Sequence, residues 1–131
     1  MFGDDVYRLI TSQASIQAVV GARVYPEQAQ QDAALPRLVY RLGESEPVLY
    51  ADGSVSHTLQ PLEIVCQALS VREAESVADV VKDALSGFDG TVGGTEFQAV
   101  LFAGAGEDRE QLPVPADEGT YLSTVRFTLI W

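Results

Sequence analysis

The sequence predicts an α+β domain, built as a mostly antiparallel sheet of four to five strands with two main helices packed on one face. Three observations predict it. Two segments alternate with a period of two: Leu62, Ile64, Cys66 and Ala68 share one face against Glu63 and Gln67, and Tyr121, Val125, Phe127, Leu129 and Trp131 oppose Thr124, Arg126 and Thr128. One segment, Ala74 to Phe88, instead repeats its apolar residues every three and four positions. The order is helix, strands, helix, strands, with too few helices for an alternating parallel design. The 131 residues suit a single domain, 1–131, and 47% of them are hydrophobic, which argues against disorder.

Taken in order, Asp4 to Val20 reads as helical, with Asp4 or Asp5 as cap and Val6, Leu9 and Ile10 on one face. Ser12 and Ser15 invite a break into two short helices, the second carrying Ile16, Val19 and Val20 and stopping at Gly21. A short apolar stretch, Arg23-Val24-Tyr25-Pro26, leads into a polar loop, Glu27 to Ala34. Leu38 to Leu42 is a strand, preceded by Pro36. Gly43 to Ser56 is polar and turn-rich, as in an extended hairpin tip, and Thr58 to Ala68 is the next strand. Pro61 cannot donate to a ladder, so it belongs at an edge, a bulge or a strand start. Ser70 and Glu73 form a capping box ahead of a helix whose buried stripe is Ala74, Val77, Ala78, Val81, Leu85 and Phe88, closed by Gly87. Glu96 to Ala103 and Thr120 to Trp131 complete the strands.

Eight basic against nineteen acidic residues give a net charge of −11. That balance opposes binding to nucleic acid through phosphate contacts and any polybasic membrane anchor. The acidic start lacks the basic and apolar regions of a signal peptide, and the expectation is a soluble intracellular domain. His57 is the only histidine and stands beside a polar loop, without the partners a catalytic triad requires. Cys66, the only cysteine, alternates with core residues and reads as a small buried hydrophobe. Gly90 to Gly94 runs from helix to strand, the reverse of a dinucleotide site. Gly104 to Gly106 opens into the acidic Glu107-Asp108, so both glycine clusters read as turns. The acidic pairs Asp4/Asp5, Glu107/Asp108 and Asp117/Glu118 lack the alternating spacing of a calcium loop. No catalytic, cofactor-binding or metal-ligating residue is therefore expected, and no cofactor.

Gly21-Ala22-Arg23-Val24-Tyr25-Pro26, a Gln-rich loop, and then Ala34-Leu35-Pro36-Arg37-Leu38-Val39-Tyr40 resemble the opening of the tail-terminator, or tail-to-head joining, proteins of long-tailed bacteriophages. Leu62 to Ala68 and the Glu-Ala-rich run from Arg72 to Ala78 continue the family pattern, which covers residues 5 to 88 well and the closing strands by their order. Gln67-Ala68-Leu69 stands where the family often has a bulky aromatic, and Pro61 intrudes early in its strand.

The resemblance implies a non-enzymatic structural protein of the virion, assembled in the host cytoplasm. It would form a ring of its own copies, usually six, on the end of the tail tube. Its implied partners are the tail tube protein and the head connector or stopper protein, with DNA passing through the lumen without specific binding. The implied ring or docking residues are Arg23, Tyr25, Arg37, Arg41, Glu44, Glu46, Asp52, Glu107 and Asp108. A head-completion or neck connector protein and a small acidic metal- or ligand-binding domain are the alternative readings.

Overall fold

In chain order the elements are α1 (Phe2–Thr11), α2 (Ala14–Val20), β1 (Val24–Pro26), β2 (Arg37–Leu42), β3 (Glu46–Leu49), β4 (Val55–Ala68), α3 (Val71–Leu85), β5 (Gly90–Val92), β6 (Thr95–Phe97), β7 (Ala99–Ala105) and β8 (Tyr121–Ile130). This computed structural model describes residues 2–21, 23–26, 36–105 and 121–131. The loop from Glu27 to Ala34, most of that from Gly104 to Glu118, and the acidic pairs Glu107/Asp108 and Asp117/Glu118 lie outside the described residues.

The class is α+β, with a mixed sheet of six strands. Its order is β1-β2-β4-β8-β7, and β3 pairs with the first half of β4. Every pair in it is antiparallel except β1–β2, where Val24 stands beside Leu38 in parallel register. Three residues are too few to show an alternation, which is why β1 is not legible as a strand in the sequence.

The amino-terminal helix breaks at Ser12. The Thr11 hydroxyl donates to the Tyr7 carbonyl at 2.9 Å and that of Ser12 to Leu9 at 2.9 Å, bonds that compete with continuation of the helix. Ser15 lies inside α2 and breaks nothing. Gly21, at φ 58°, donates its N–H to the Gln17 carbonyl and ends α2 as expected. The expected capping role of Asp4 or Asp5 is not what the structure shows. α1 begins at Phe2, so both aspartates sit in its first turn, where a negative charge suits the helix dipole.

β4 is longer than expected because its first residues pair with β3, a strand inside the segment that reads as a polar hairpin. Leu49 stands opposite Val55, and the turn between them is closed by Tyr50 and Ser54. Pro61 lies in the middle of this fourteen-residue strand, yet it breaks no pairing. β2 ends at Leu42 opposite Leu62, and β3 begins at Glu46 opposite Leu59, so Pro61 faces the gap between them. There its carbonyl accepts from the Gly43 N–H at 2.9 Å, and the Gln60 side-chain amide donates to the Gly43 carbonyl. The strand is central in the sheet but locally an edge at the one residue that cannot donate.

All three helices pack on one face of the sheet. Val6, Leu9, Ile10, Ile16 and Val20 meet Val77, Val81 and Leu85 over Leu38, Ile64, Val125, Phe127 and Leu129, in one continuous core. Ser70 caps α3 by accepting from the Glu73 N–H at 3.1 Å, and the Glu73 carboxylate accepts in return from Leu69 at 3.5 Å, one residue before the position a capping box predicts. α3 ends at Leu85, so Phe88 packs against the core from beyond the helix rather than from its stripe. The strand expected over Glu96 to Ala103 divides at Gln98: β6 forms a separate hairpin with β5, and β7 joins the main sheet. No helix among the described residues is long and apolar enough to cross a membrane.

Candidate functional site

The groups that could carry covalent or redox chemistry are structurally occupied. Cys66 is completely buried, and that burial pushes its thiol far above the usual range, which leaves no thiolate to react. His57 lies within β4 rather than ahead of it, half-buried, with Nδ1 2.9 Å from the Ser56 hydroxyl. Gly93 and Gly94 form the two-residue turn of the β5–β6 hairpin, as expected of a turn. Gly104 does not: it sits in β7 at a register shift against β8. Asp5 reaches that β5–β6 turn. Its carboxylate accepts from the Thr95 hydroxyl at 2.5 Å and from the Gly94 N–H, which hold it below the usual carboxylate range. Among the described residues no three His, Cys, Asp or Glu side chains gather at metal-binding range.

Among the described residues, no helix lies on the other face of the sheet. Strand register arranges its side chains in rows. Arg37 donates to the Gln67 side-chain carbonyl at 2.5 Å, and beside them Val39, Val65 and Thr124 form a buried row. The next row places the Glu63 carboxylate between two guanidiniums, with Arg41 at 3.4 Å and Arg126 at 3.5 Å. It borders an open groove of about 450 Å³, lined also by Gly43, Pro61 and Ala103. Farther along this face Leu101 stands opposite Thr128, half exposed.

The second feature is the tip of the β3–β4 hairpin. Leu49, Tyr50 and Val55 are 56%, 60% and 57% exposed, side by side in an otherwise polar segment. Asp52 shapes the turn beneath them, its Oδ1 accepting from the Ser54 N–H at 2.9 Å and hydroxyl at 2.6 Å. Those bonds hold its carboxyl below the usual range and keep it charged.

The nine residues singled out from the sequence thus fall into separate places. Arg37, buried, and Arg41, exposed, lie on the face away from the described helices, and Tyr25, in register with Val39, is half-buried at its β1 margin. Arg23 is an internal clip, donating to the Pro36 carbonyl at 2.8 Å and the Val19 carbonyl at 3.2 Å. Glu44, Glu46 and Asp52 are exposed along the hairpin. Glu107 and Asp108 lie outside the described residues. Glu63 and Arg126 were not singled out, although alternation had placed both away from the core; joining them to Arg41 requires the order β2-β4-β8, which no local pattern contains. The apolar tip was hidden because the surrounding segment is polar in bulk.

The fold is thus an α+β sheet whose described helices all pack on one side. The family model described as "Tail completion protein gp17" matches residues 4–130. The chain belongs to that family of bacteriophage tail-completion proteins, structural components of the virion. Among solved structures, a chain of the "Virion of native gene transfer agent (GTA) particle" superposes with a TM-score of 0.68 at 19% identity, over 97% of this chain and 91% of that one, and so shares the fold. No curated protein matches the sequence.

Proposed function

We propose that this chain is a non-enzymatic ring protein, six copies of which close on the end of the tail tube, stop tube polymerisation and join the tail to the head. The observation that carries the reading is membership of the tail-completion family over residues 4–130. Its partners are then further copies of itself, the tube protein on one side and the head connector or stopper on the other, and its place is the tail end at the head–tail junction. The candidate interface residues on the surface, Arg41, Glu44, Glu46 and Asp52, belong to these contacts, and we extend the same role to Tyr25, Glu107 and Asp108.

Size and charge agree with a conduit. A compact chain of 131 residues has a radius of gyration of about 14 Å, hence a diameter of about 36 Å as a sphere. Six equal spheres in a ring leave a central hole of that same width, about 36 Å, which admits a nucleic-acid duplex. With −11 on every copy the ring repels the DNA backbone rather than holding it.

Deleting the gene from its phage tests the role. The expected particles are tails of uncontrolled length beside unjoined, filled heads. Tails of normal length that still fail to join would instead assign the chain to the head side of the neck.

A further inference from the structure

The turn between β3 and β4 carries an exposed Asp52-Gly53 pair. An aspartate ahead of glycine is chemically vulnerable, because no side chain shields the following amide. The Gly53 nitrogen can attack Cγ of Asp52. The nitrogen gives up its proton and the carboxyl a hydroxyl, so one water departs and a five-membered imide closes. Water then adds back at either imide carbonyl. Opening at the main-chain carbonyl of Asp52 leaves the backbone running through the side chain, as isoaspartate, one methylene longer and unchanged in mass. The attack needs a released glycine nitrogen and a carboxyl in its neutral form, since a carboxylate is a poor electrophile.

The turn opposes both requirements. Oδ1 of Asp52 accepts from the Ser54 N–H at 2.9 Å and from the Ser54 hydroxyl at 2.6 Å, two donors that favour the charged carboxylate. The Gly53 N–H is engaged, donating to the Tyr50 carbonyl at 3.0 Å, while the Tyr50 N–H donates to the Ser54 carbonyl at 2.8 Å. Gly53 has φ of +90°, a conformation that calls for glycine. A bulkier residue at 53 cannot therefore remove the reactive pair without straining the turn, and protection has to come from a neighbour. We infer that Ser54 is that neighbour: by holding Asp52 with its N–H and hydroxyl, it keeps the Asp52-Gly53 pair from converting to isoaspartate. Ser54 is a positioning residue and does not itself react. An added methylene in the backbone would disturb the two bonds that close the turn and shift the exposed Leu49, Tyr50 and Val55 around it. The inference does not depend on the ring reading.

The test follows isoaspartate at position 52 in purified full-length protein held at neutral pH. Peptide mapping with electron-transfer fragmentation reads it, since the two isomers have equal mass. Wild type, Ser54→Ala and Ser54→Thr are each followed folded and in guanidinium, with circular dichroism to verify the fold. Folded wild type should convert more slowly than denatured wild type. Ser54→Ala loses the hydroxyl bond and should convert about two- to tenfold faster when folded, the factor that one hydrogen bond corresponds to. Its denatured rate should equal that of the wild type, and Ser54→Thr, which keeps the hydroxyl, should restore the slow folded rate. Conversion of folded wild type at the denatured rate would overturn the inference. So would a folded Ser54→Ala rate equal to the wild type's, or an acceleration that persists in guanidinium.

Discussion

Asp5 and Gly93 show how a single contact fastens a peripheral hairpin to the core. A Cβ at Gly93 would land on the Asp5 carboxylate, and the backbone there has φ of +62°, so both space and conformation call for glycine. Gly93→Ala should destabilise the protein by about 1–3 kcal/mol, the range for a non-glycine residue forced into such a conformation, read from urea melts. Because the bonds from Thr95 and Gly94 lower the Asp5 pKa below 3.8, its contribution is complete above that value and disappears as pH falls through the lower, folded pKa. Comparing Asp5→Asn with the wild type should therefore give a constant stability gap from pH 7 down to about 4 that narrows below it. A gap that closes between pH 7 and 5 would show that a different group controls the hairpin. None of this was legible in the sequence, where Asp5 reads as a helix cap, because its partner lies ninety positions away.

The elements divide into those whose signal is local and those whose signal is not. α3 was legible to within a residue or two, since its cap and stripe are properties of consecutive positions, and the buried residues Ala74, Val77, Ala78, Val81 and Leu85 are those the spacing picks out. Leu85 is fully buried, and Leu85→Ala should cost about 2–5 kcal/mol in denaturant melts; a change below about half a kcal/mol would make α3 peripheral. The parity of β4 and β8 was legible for the same reason, which placed Cys66, Val125 and Phe127 correctly in the core. Register was not. Pro61 could only be assigned to an edge, a bulge or a start, and the actual solution, a gap between two strands on one side, needs the tertiary pairing. Gly43 completes that gap: a Cβ there would stand 3.0 Å from Pro61 Cβ. Gly43→Val should destabilise the sheet by about 1–3 kcal/mol, the usual cost of overpacking, and lower protection of the Gly43 amide in hydrogen exchange.

For the whole molecule, charge opposes the proposed ring, and its contacts must outweigh that repulsion if it forms. Two neighbours of −11 with centres about 36 Å apart repel in water by about 14 kcal/mol as point charges before screening. Screening reduces this to about 4 kcal/mol at 0.01 M salt and to well under 1 kcal/mol at 0.15 M. One exposed Arg–carboxylate pair contributes about 0.2–1 kcal/mol, too little to reverse the balance at low salt. Association should thus strengthen from 0.01 to 0.15 M NaCl and change little above that, in sedimentation at fixed micromolar concentration. Steady dissociation as salt rises would mean that ion pairs dominate the contact. A quaternary arrangement leaves no periodicity in a sequence, whereas the family resemblance was already readable from Gly21 to Ala78. The most direct test of the central claim is negative-stain imaging of the purified full-length protein at 0.15 M salt. The account predicts six-fold annular particles with a central opening of about 36 Å, narrowed by loops; a field of monomers at all concentrations, alone and with tail tubes, would contradict it.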